Sequence, residues 1–296
     1  MRRRRRAQTR AQAASLSDLA AFTDGRLAAH ARHLESGRTL ALDGGRRCKL
    51  ASVVKVPLAV HVLEQVADGR LGLDDRIEVE GRHMCEGSGV IATWLRAPGL
   101  SLSVDNLLRL ALRLSDNTAT DVLFEVAGGP EAVQTSLNRL GHDAVRVDRT
   151  IAGVVDAVTG PEATTFYDDD RDTASPEAVV DLLADLWAER LLSPNLTAHL
   201  LEILGACKTG RRRFRAHMPT GSVVAQKTGT FVPKHADALV ADAGVLRLPG
   251  DAGHVAVAAF LTGATAPTAE QEDVVAHVAR VAYEAFQHDT PLAPPR

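Results

Sequence analysis

Apolar positions along this chain recur in two periods, and the order of those periods predicts a mixed α+β fold. From Ser15 to residue 36 they return every three or four residues, as on an amphipathic helix that Ser15 or Ser17 could cap. Thr39 to Leu42, ending at Asp43-Gly44-Gly45, reads as a short strand and turn. Ser52 to Ala67 is strongly apolar and closes at Asp68-Gly69, the pattern of a buried helix, with Pro57 near its first turn, where a missing N–H costs little. Residues 71–80 read as extended, and glycines and Pro98 punctuate loops over 87–99. Helical periods follow over Ser103–Leu114, Thr118–Val126, from Gly128-Gly129-Pro130 through Leu140, from Pro176 to Leu191, and over 195–206. Residues 141–175 show little periodicity, and a loop of that length is usually functional. Beyond them, Val223–Thr228, Ala238–Leu246 and His254–Leu261 alternate as antiparallel strands, and 268–287 is a last helix. Helix, strands, many helices, strands and helix is an α+β order that brings both chain ends to one sheet.

Composition narrows the class. Of 296 residues 45% are apolar and 24% charged, with a net charge of −3, which is enough apolar material for a core and too little net charge for a disordered chain. No run approaches the roughly 18 apolar residues of a membrane span. Arg2–Arg6 are five consecutive arginines, followed by the polar stretch Ala7-Gln8-Thr9-Arg10-Ala11-Gln12 in place of an apolar signal core. We expect residues 1–14 to be a disordered basic tail, 288–296 a flexible tail, and the protein to be cytoplasmic. Without the five arginines the chain carries 29 basic against 37 acidic residues and no RNA-reading aromatics, so nucleic acid is not an expected partner. Cys48, Cys85 and Cys207 have no metal spacing, and the 11 histidines show no His-x3-His or His-Glu-x2-His pattern, so we expect structural thiols, no metal and no cofactor. Lysine is scarce, only Lys49, Lys55, Lys208, Lys227 and Lys234, so a lysine at a motif position carries weight.

Three short motifs supply chemistry. In Ser52-Val53-Val54-Lys55 the hydroxyl and amine share a helix face, and a lysine of depressed pKa can take the serine proton; alone, the quartet is equally a capping serine. Ser115-Asp116-Asn117 lies between two apolar helices. Its hydroxyl can pass a proton to a leaving nitrogen and its carboxamide can hold an amide, although all three residues are also good N-caps. Lys227-Thr228-Gly229-Thr230 ends an apolar run and offers a cation and hydroxyls to a carboxylate. A second Lys208-Thr209-Gly210 follows a helix and reads as a cap and loop.

In this order, and spaced by 63 and 112 residues, the motifs resemble those of class A β-lactamases and penicillin-binding proteins. Gly87-Ser88-Gly89-Val90, Leu107 to Thr120 and Arg171 to Pro176 also look like segments of that superfamily, and the resemblance runs from about 15 to 287. It implies an all-α part (51–221) packed on an α/β part (15–50 and 222–287) with a five-stranded antiparallel sheet. It implies Ser52 as nucleophile, Lys55 as proton acceptor, Ser115 as relay and Lys227 as its polarising neighbour. Asn117, Thr228, Gly229 and Thr230 would face substrate, with the Ser52 and Thr230 N–H groups as oxyanion donors. Arg213 is a candidate second anion contact, set against a solvated basic run.

The long loop departs from the family. Where class A β-lactamases carry Arg-x-Glu-x2-Leu-Asn, whose glutamate activates the deacylating water, this chain has Arg149 followed by Ile151 and Val155 at the glutamate and asparagine positions. Arg149 and Asp172 could still close the loop as an ion pair, and Glu162 or Asp156 could bend back as a substitute base. Without that base we expect acylation of Ser52 with slow hydrolysis. That suits a transacylase, amidase or esterase of specialised small-molecule metabolism, taking an acyl donor and an amine acceptor. A true β-lactamase or D-alanyl-D-alanine carboxypeptidase, and a non-catalytic binding member of the fold, are the alternatives.

Overall fold

Five antiparallel strands form the main sheet in the order β2-β1-β9-β8-β7: β1 (Arg26–His33) and β2 (Thr39–Leu42) come from the start of the chain, β7 (Val224–Phe231), β8 (Leu239–Arg247) and β9 (His254–Thr262) from its end. The computed structural model describes residues 15–95, 99–160, 166–231, 238–250 and 252–288; the tail 1–14, Glu162 and residues 289–296 lie outside them. The strands are apolar on both faces. On one, Ala28, Ala241, Ala243, Val245, Ala258 and Phe260 join the core shared with the helices. On the other, Leu27, Ala29, Val240, Val257 and Leu261 pack with the last helix of the chain, Thr268–Phe286. This period of two, buried on both sides, is why the strands read as nearly continuous apolar runs.

Strand β1 corrects the expected helix over 15–36. Only α1 (Leu16–Ala20) is helical, capped by Ser15. At Gly25 a Cβ would lie 2.7 Å from the Cβ of Ala264, so the chain passes too close to its neighbour for any side chain. Arg26 to His33 then pairs residue for residue with Thr262 to Val255. The alanine-rich segment suits a helix by propensity, but partners on both edges decide its state.

The helical part follows the expected order. A 3-10 turn (Ala51–Val54) leads into α2 (Lys55–Ala67), followed by β4 (Arg76–Val79), the short α3 (Ile91–Trp94) and β5 (Leu100–Ser103). Next come α4 (Val104–Arg113), α5 (Asn117–Val126) and α6 (Gly129–Arg139). Helix α2 is buried along almost its whole length. Asp116 is the N-cap of α5, accepting from Ala119 N at 2.9 Å, and its other oxygen accepts from Val90 N and Ile91 N at 2.6 and 2.9 Å. One carboxylate therefore caps α5 and α3 together, and a Cβ on Gly89 would fall 2.3 Å from it.

The segment 141–175 contains a helix that periodicity did not reveal, α7 (Ile151–Thr159). Thr150 caps it, and Asp121 of α5 accepts from Ile151 N and Ala152 N at 2.7 and 2.8 Å. The Arg149–Asp172 pair does form, Nε to Oδ2 at 2.5 Å, and Asp172 also accepts from the N–H groups of Asp148 and Arg149. Strand β6 (Thr173–Ala174) then pairs with β3 (Cys48–Lys49), and Leu50 N donates to Asp172 O at 2.9 Å. The loop is thus closed at its base and stapled to the segment carrying Ser52. Helices α8 (Pro176–Trp187), α9 (Pro194–Gly205) and α10 (Thr268–Phe286) complete the fold, with α8 and α10 covering opposite faces of the sheet. Cys48, Cys85 and Cys207 are buried free thiols.

Asp172 has φ +52°, a conformation asparagine tolerates, so Asp172→Asn removes charge without adding backbone strain. Leaving Arg149 without its partner should lower unfolding stability by about 3 kcal/mol, measured by urea denaturation; a change within the error of the extrapolation would show that the pair does not hold the loop.

Candidate active site

Three elements place the motif residues in one buried cluster. The Lys55 Nζ, from the first turn of α2, lies 2.7 Å from Ser115 O, 3.2 Å from Ser115 Oγ and 2.9 Å from Asn117 Oδ1. The Lys227 Nζ, from β7, donates to the same Ser115 Oγ at 3.0 Å and to Thr228 O at 2.8 Å. Asn117 Nδ2 donates to Glu86 O at 2.9 Å, fixing the orientation of its carboxamide. Ser115 has φ +57° and Ala51, next to Ser52, φ +46°, so strained backbone flanks both hydroxyls. Ser52 is partly exposed in the 3-10 turn and lines a cavity, while the hydrogen bonds of Lys55 run to Ser115 and Asn117. The expected contact of Lys55 with Ser52 is not among them; catalytic hydrogen bonds in a free enzyme often close only when substrate is bound.

Burial sets the protonation. Both lysines are almost inaccessible. Desolvation, reinforced by the neighbouring Lys227 charge, pushes Lys55 well below the ordinary lysine range, so it can serve as a base. Lys227 is pushed down to about 8, again mainly by burial, against the attraction of Cys207 and Asp242. Asp242 on β8 is itself pushed up to about 7 by burial.

Strand β7 is the sheet edge nearest the nucleophile. A Cβ on Gly229 would lie 2.9 Å from Leu50 O and 3.2 Å from the Ala51 Cβ, so only glycine allows this approach of strand to turn. Thr230 lines the cavity opposite Ser52. Thr228 is buried, and its hydroxyl meets Thr209 Oγ1 at 2.7 Å, so the loop after α9 packs on the back of the motif. Arg213 is not a solvated basic residue, and it is not among the residues lining the cavity beside Ser52. It is 4% exposed, and NH1 donates to Gly229 O and Ala241 O at 2.9 and 2.7 Å, NH2 to Thr230 Oγ1 at 2.6 Å, with Glu272 at 3.2 Å from its Nε. It braces Thr230 from behind.

The cavity beside Ser52 measures about 430 Å³. Its far wall is α7, with Ile151 at the position of the family's glutamate, followed by Val154, Val155 and Val158; Phe166 and Phe231 complete it. Asp156 is on the exposed face of the same helix and does not line the cavity, which removes it as a substitute base. Among the described lining residues the carboxylates are Asp172, engaged with Arg149, and Glu86, which is exposed. Motif reasoning missed Glu86, Lys49, Phe166 and Phe231. Lys49 is buried with its Nζ on Asp169 Oδ1 (2.7 Å), Asp169 O and Arg171 O, and only the scarcity of lysine could have drawn attention to it.

A buried Lys55–Ser115–Lys227 cluster beside the partly exposed Ser52, on this fold, defines a serine hydrolase of the class A β-lactamase type. The β-lactamase enzyme family model matches residues 11–286, and the chain belongs to that family. It is 32% identical over 208 residues to β-lactamase SME-1 of Serratia marcescens, covering 70% of this chain and 67% of that one. With the extended-spectrum β-lactamase PER-1 of Pseudomonas aeruginosa it shares 30% over 250 residues, 83% and 77% of the two chains. A β-lactamase structure from Chitinophaga pinensis superposes with a TM-score of 0.84 at 29% identity, over 94% of this chain and 99% of that one. An ancestral class A β-lactamase does so at 0.81 and 32%, over 92% and 98%.

With the roles that the resemblance implies for them, the two lysines would set a pH window for acylation. Lys55 must be neutral to accept a proton, so the rate falls as acid protonates it. Lys227 must be charged to polarise Ser115 and attract an anion, so kcat/KM should fall as pH rises through about 8. Lys227→Arg, which does not titrate there, should move that alkaline limb upward in a pH profile of activated-ester turnover; an unshifted limb would assign it to another group.

Proposed function

We propose that this protein catalyses acyl transfer through an ester on Ser52, with an amine rather than water as its productive acceptor. The observation that carries the reading is the apolar wall of α7, which puts Ile151 where the family holds its water-activating glutamate. In the first half-reaction the Ser52 Oγ attacks the donor carbonyl and its proton passes to Lys55; the tetrahedral intermediate then collapses with cleavage of the bond to the leaving group, Ser115 delivering its proton to that group and taking the one held by Lys55, which is left neutral. In the second, the amine nitrogen attacks the ester carbon, the C–Oγ bond breaks, and the amine proton returns to Ser52 through Lys55. Thr230 and Asn117 orient the donor and Lys227 holds Ser115 polarised. An amine is itself the nucleophile and needs less activation than water, for which loss of a positioned base costs about 10²–10⁴ in rate.

The names of the relatives favour a second reading, hydrolysis of β-lactams, and the same experiment separates the two. Incubation with a penicillin or a p-nitrophenyl ester should add one acyl mass to the protein, absent in Ser52→Ala. A panel of amines should shorten the adduct's life and yield amide, and Ile151→Glu should speed its hydrolysis at least tenfold. Rapid turnover of a chromogenic cephalosporin with no amide from any amine would establish the hydrolase, and its loss in Glu86→Gln would make Glu86 the base for water.

A further inference from the structure

We infer that the cavity beside Ser52 is a pocket for the acyl half of the donor, and that this acyl group is bulky and apolar, an aliphatic chain or an aryl group. The inference rests on acyl transfer at Ser52 and adds the chemistry of what is transferred. Ile151, Val154, Val155 and Val158 stand at i, i+3, i+4 and i+7, so they form one continuous stripe of α7, and that stripe lines the cavity. Phe166 closes the end of it, edge-on to Phe231 with ring centroids 5.6 Å apart.

Both cations in this wall have anionic partners, although Arg149 NH2 makes no hydrogen bond and lies 3.9 Å from Asp169 Oδ1. Lys49 Nζ has three oxygen acceptors and Arg149 is paired with Asp172, while both lie over the Phe166 ring, at 4.5 and 5.3 Å from its centroid. They hold the ring in place at the closed end of the cavity. A volume of about 430 Å³ is that of a small-molecule site. An apolar acyl group there replaces water against the stripe and shields the Ser52 ester from hydrolysis, which joins the pocket's chemistry to the choice of an amine acceptor.

The test is a series of p-nitrophenyl esters from acetate to octanoate, with phenylacetate. Each buried methylene should raise kcat/KM for acylation about fourfold until the cavity is filled. Val158→Phe should shorten the preferred chain and Val154→Ala lengthen it, a shift of optimum that an unfolded variant cannot produce. The same esters titrated into Ser52→Ala, which cannot be acylated, should bind more tightly as the chain grows. Equal rates and equal affinities across the series would overturn the pocket while leaving Ser52 as nucleophile. Chain-dependent binding without acylation of the native protein would retain the pocket and overturn the acyl-transfer reading.

A separate observation points to a metal site away from this cavity. His217 ends the 3-10 turn Phe214–His217, and Asp273 and His277 stand one turn apart on α10; one ring nitrogen of each histidine and a carboxylate oxygen lie within 4.8 Å of one another. His217 Nε2 is 2.8 Å from Asp273 Oδ1; His277 Nδ1 donates to Asp273 O at 2.7 Å and lies 3.8 Å from Asp273 Oδ2, so a cation taken at that nitrogen would displace its bond to the carbonyl. Two imidazoles and a carboxylate suit a zinc-class divalent cation, and we propose that these three residues bind one. The side chains of His217 and Asp273 are about one-third exposed, so an ion can enter.

The cation would clamp the turn carrying Arg213 to α10, the two elements that the Arg213–Glu272 pair already joins. Zn²⁺ titrated into the metal-free full chain should bind saturably and raise the melting temperature, and Co²⁺ should give visible d–d bands. Both signals should be lost in His217→Ala and His277→Ala, whose metal-free melting curves check that they fold. Binding only at millimolar Zn²⁺, or binding unaltered by either substitution, would overturn the site.

Discussion

The Lys55 and Lys227 Nζ atoms reach one hydroxyl, Ser115 Oγ, at 3.2 and 3.0 Å, and neither has appreciable access to solvent. Two full charges held that close without water would repel strongly, so burial and mutual repulsion together push one amine toward its neutral form. That is the property a proton acceptor for Ser52 needs. The arrangement exists only if α2, the turn before α5 and strand β7 meet at this point. Much of the remaining structure serves that meeting: Asp116 capping two helices, Gly229 letting the sheet edge approach the Ser52 turn, and Arg213 bracing Thr230 from behind.

The loop over 147–172 keeps its attachment and changes its content. Arg149, Asp148 and Asp172 close its base, and β6 staples it beside the nucleophile. Between those points, a helix with a valine and isoleucine stripe stands where the family's loop carries a carboxylate. A cavity wall of this kind excludes water and favours apolar ligands, and the proposed acyl transfer and acyl preference both rest on it. Lys49 is buried and Arg149 partly buried beside the wall, each with an anionic partner, and both lie over the Phe166 ring.

The candidate site was legible because its motifs are local. Ser-x2-Lys, Ser-Asp-Asn and Lys-Thr-Gly are each read from adjacent residues, and lysine is rare enough here that Lys55 and Lys227 stand out. The helices from Ser103 to Leu140 and the three strands near the end were legible for a similar reason, since one-sided burial imposes a period on the residues themselves. Reading failed where burial is on all sides or partners are distant. Arg26–His33 looks helical by composition and becomes a strand because β9 and β2 flank it. Helix α7 carries the helical spacing at Ile151, Val154, Val155 and Val158, but over nine residues interrupted by Gly153 the period is too short to stand out from the flanking loop.

By itself, then, the sequence determined the fold class and the family and singled out the candidate reacting groups, all of which are properties of short segments and their order. Tertiary structure decided what those groups experience: which hydroxyl each lysine reaches, that Arg213 is buried against the back of β7 rather than solvated, that Thr228 turns to Thr209, and that Asp156 faces away from the cavity while Val154 and Val158 line it. The reason is that pKa, side-chain direction and cavity chemistry depend on desolvation and on neighbours many residues away. A linear pattern specifies which residues will be buried together, and only the packed chain sets the distances between them.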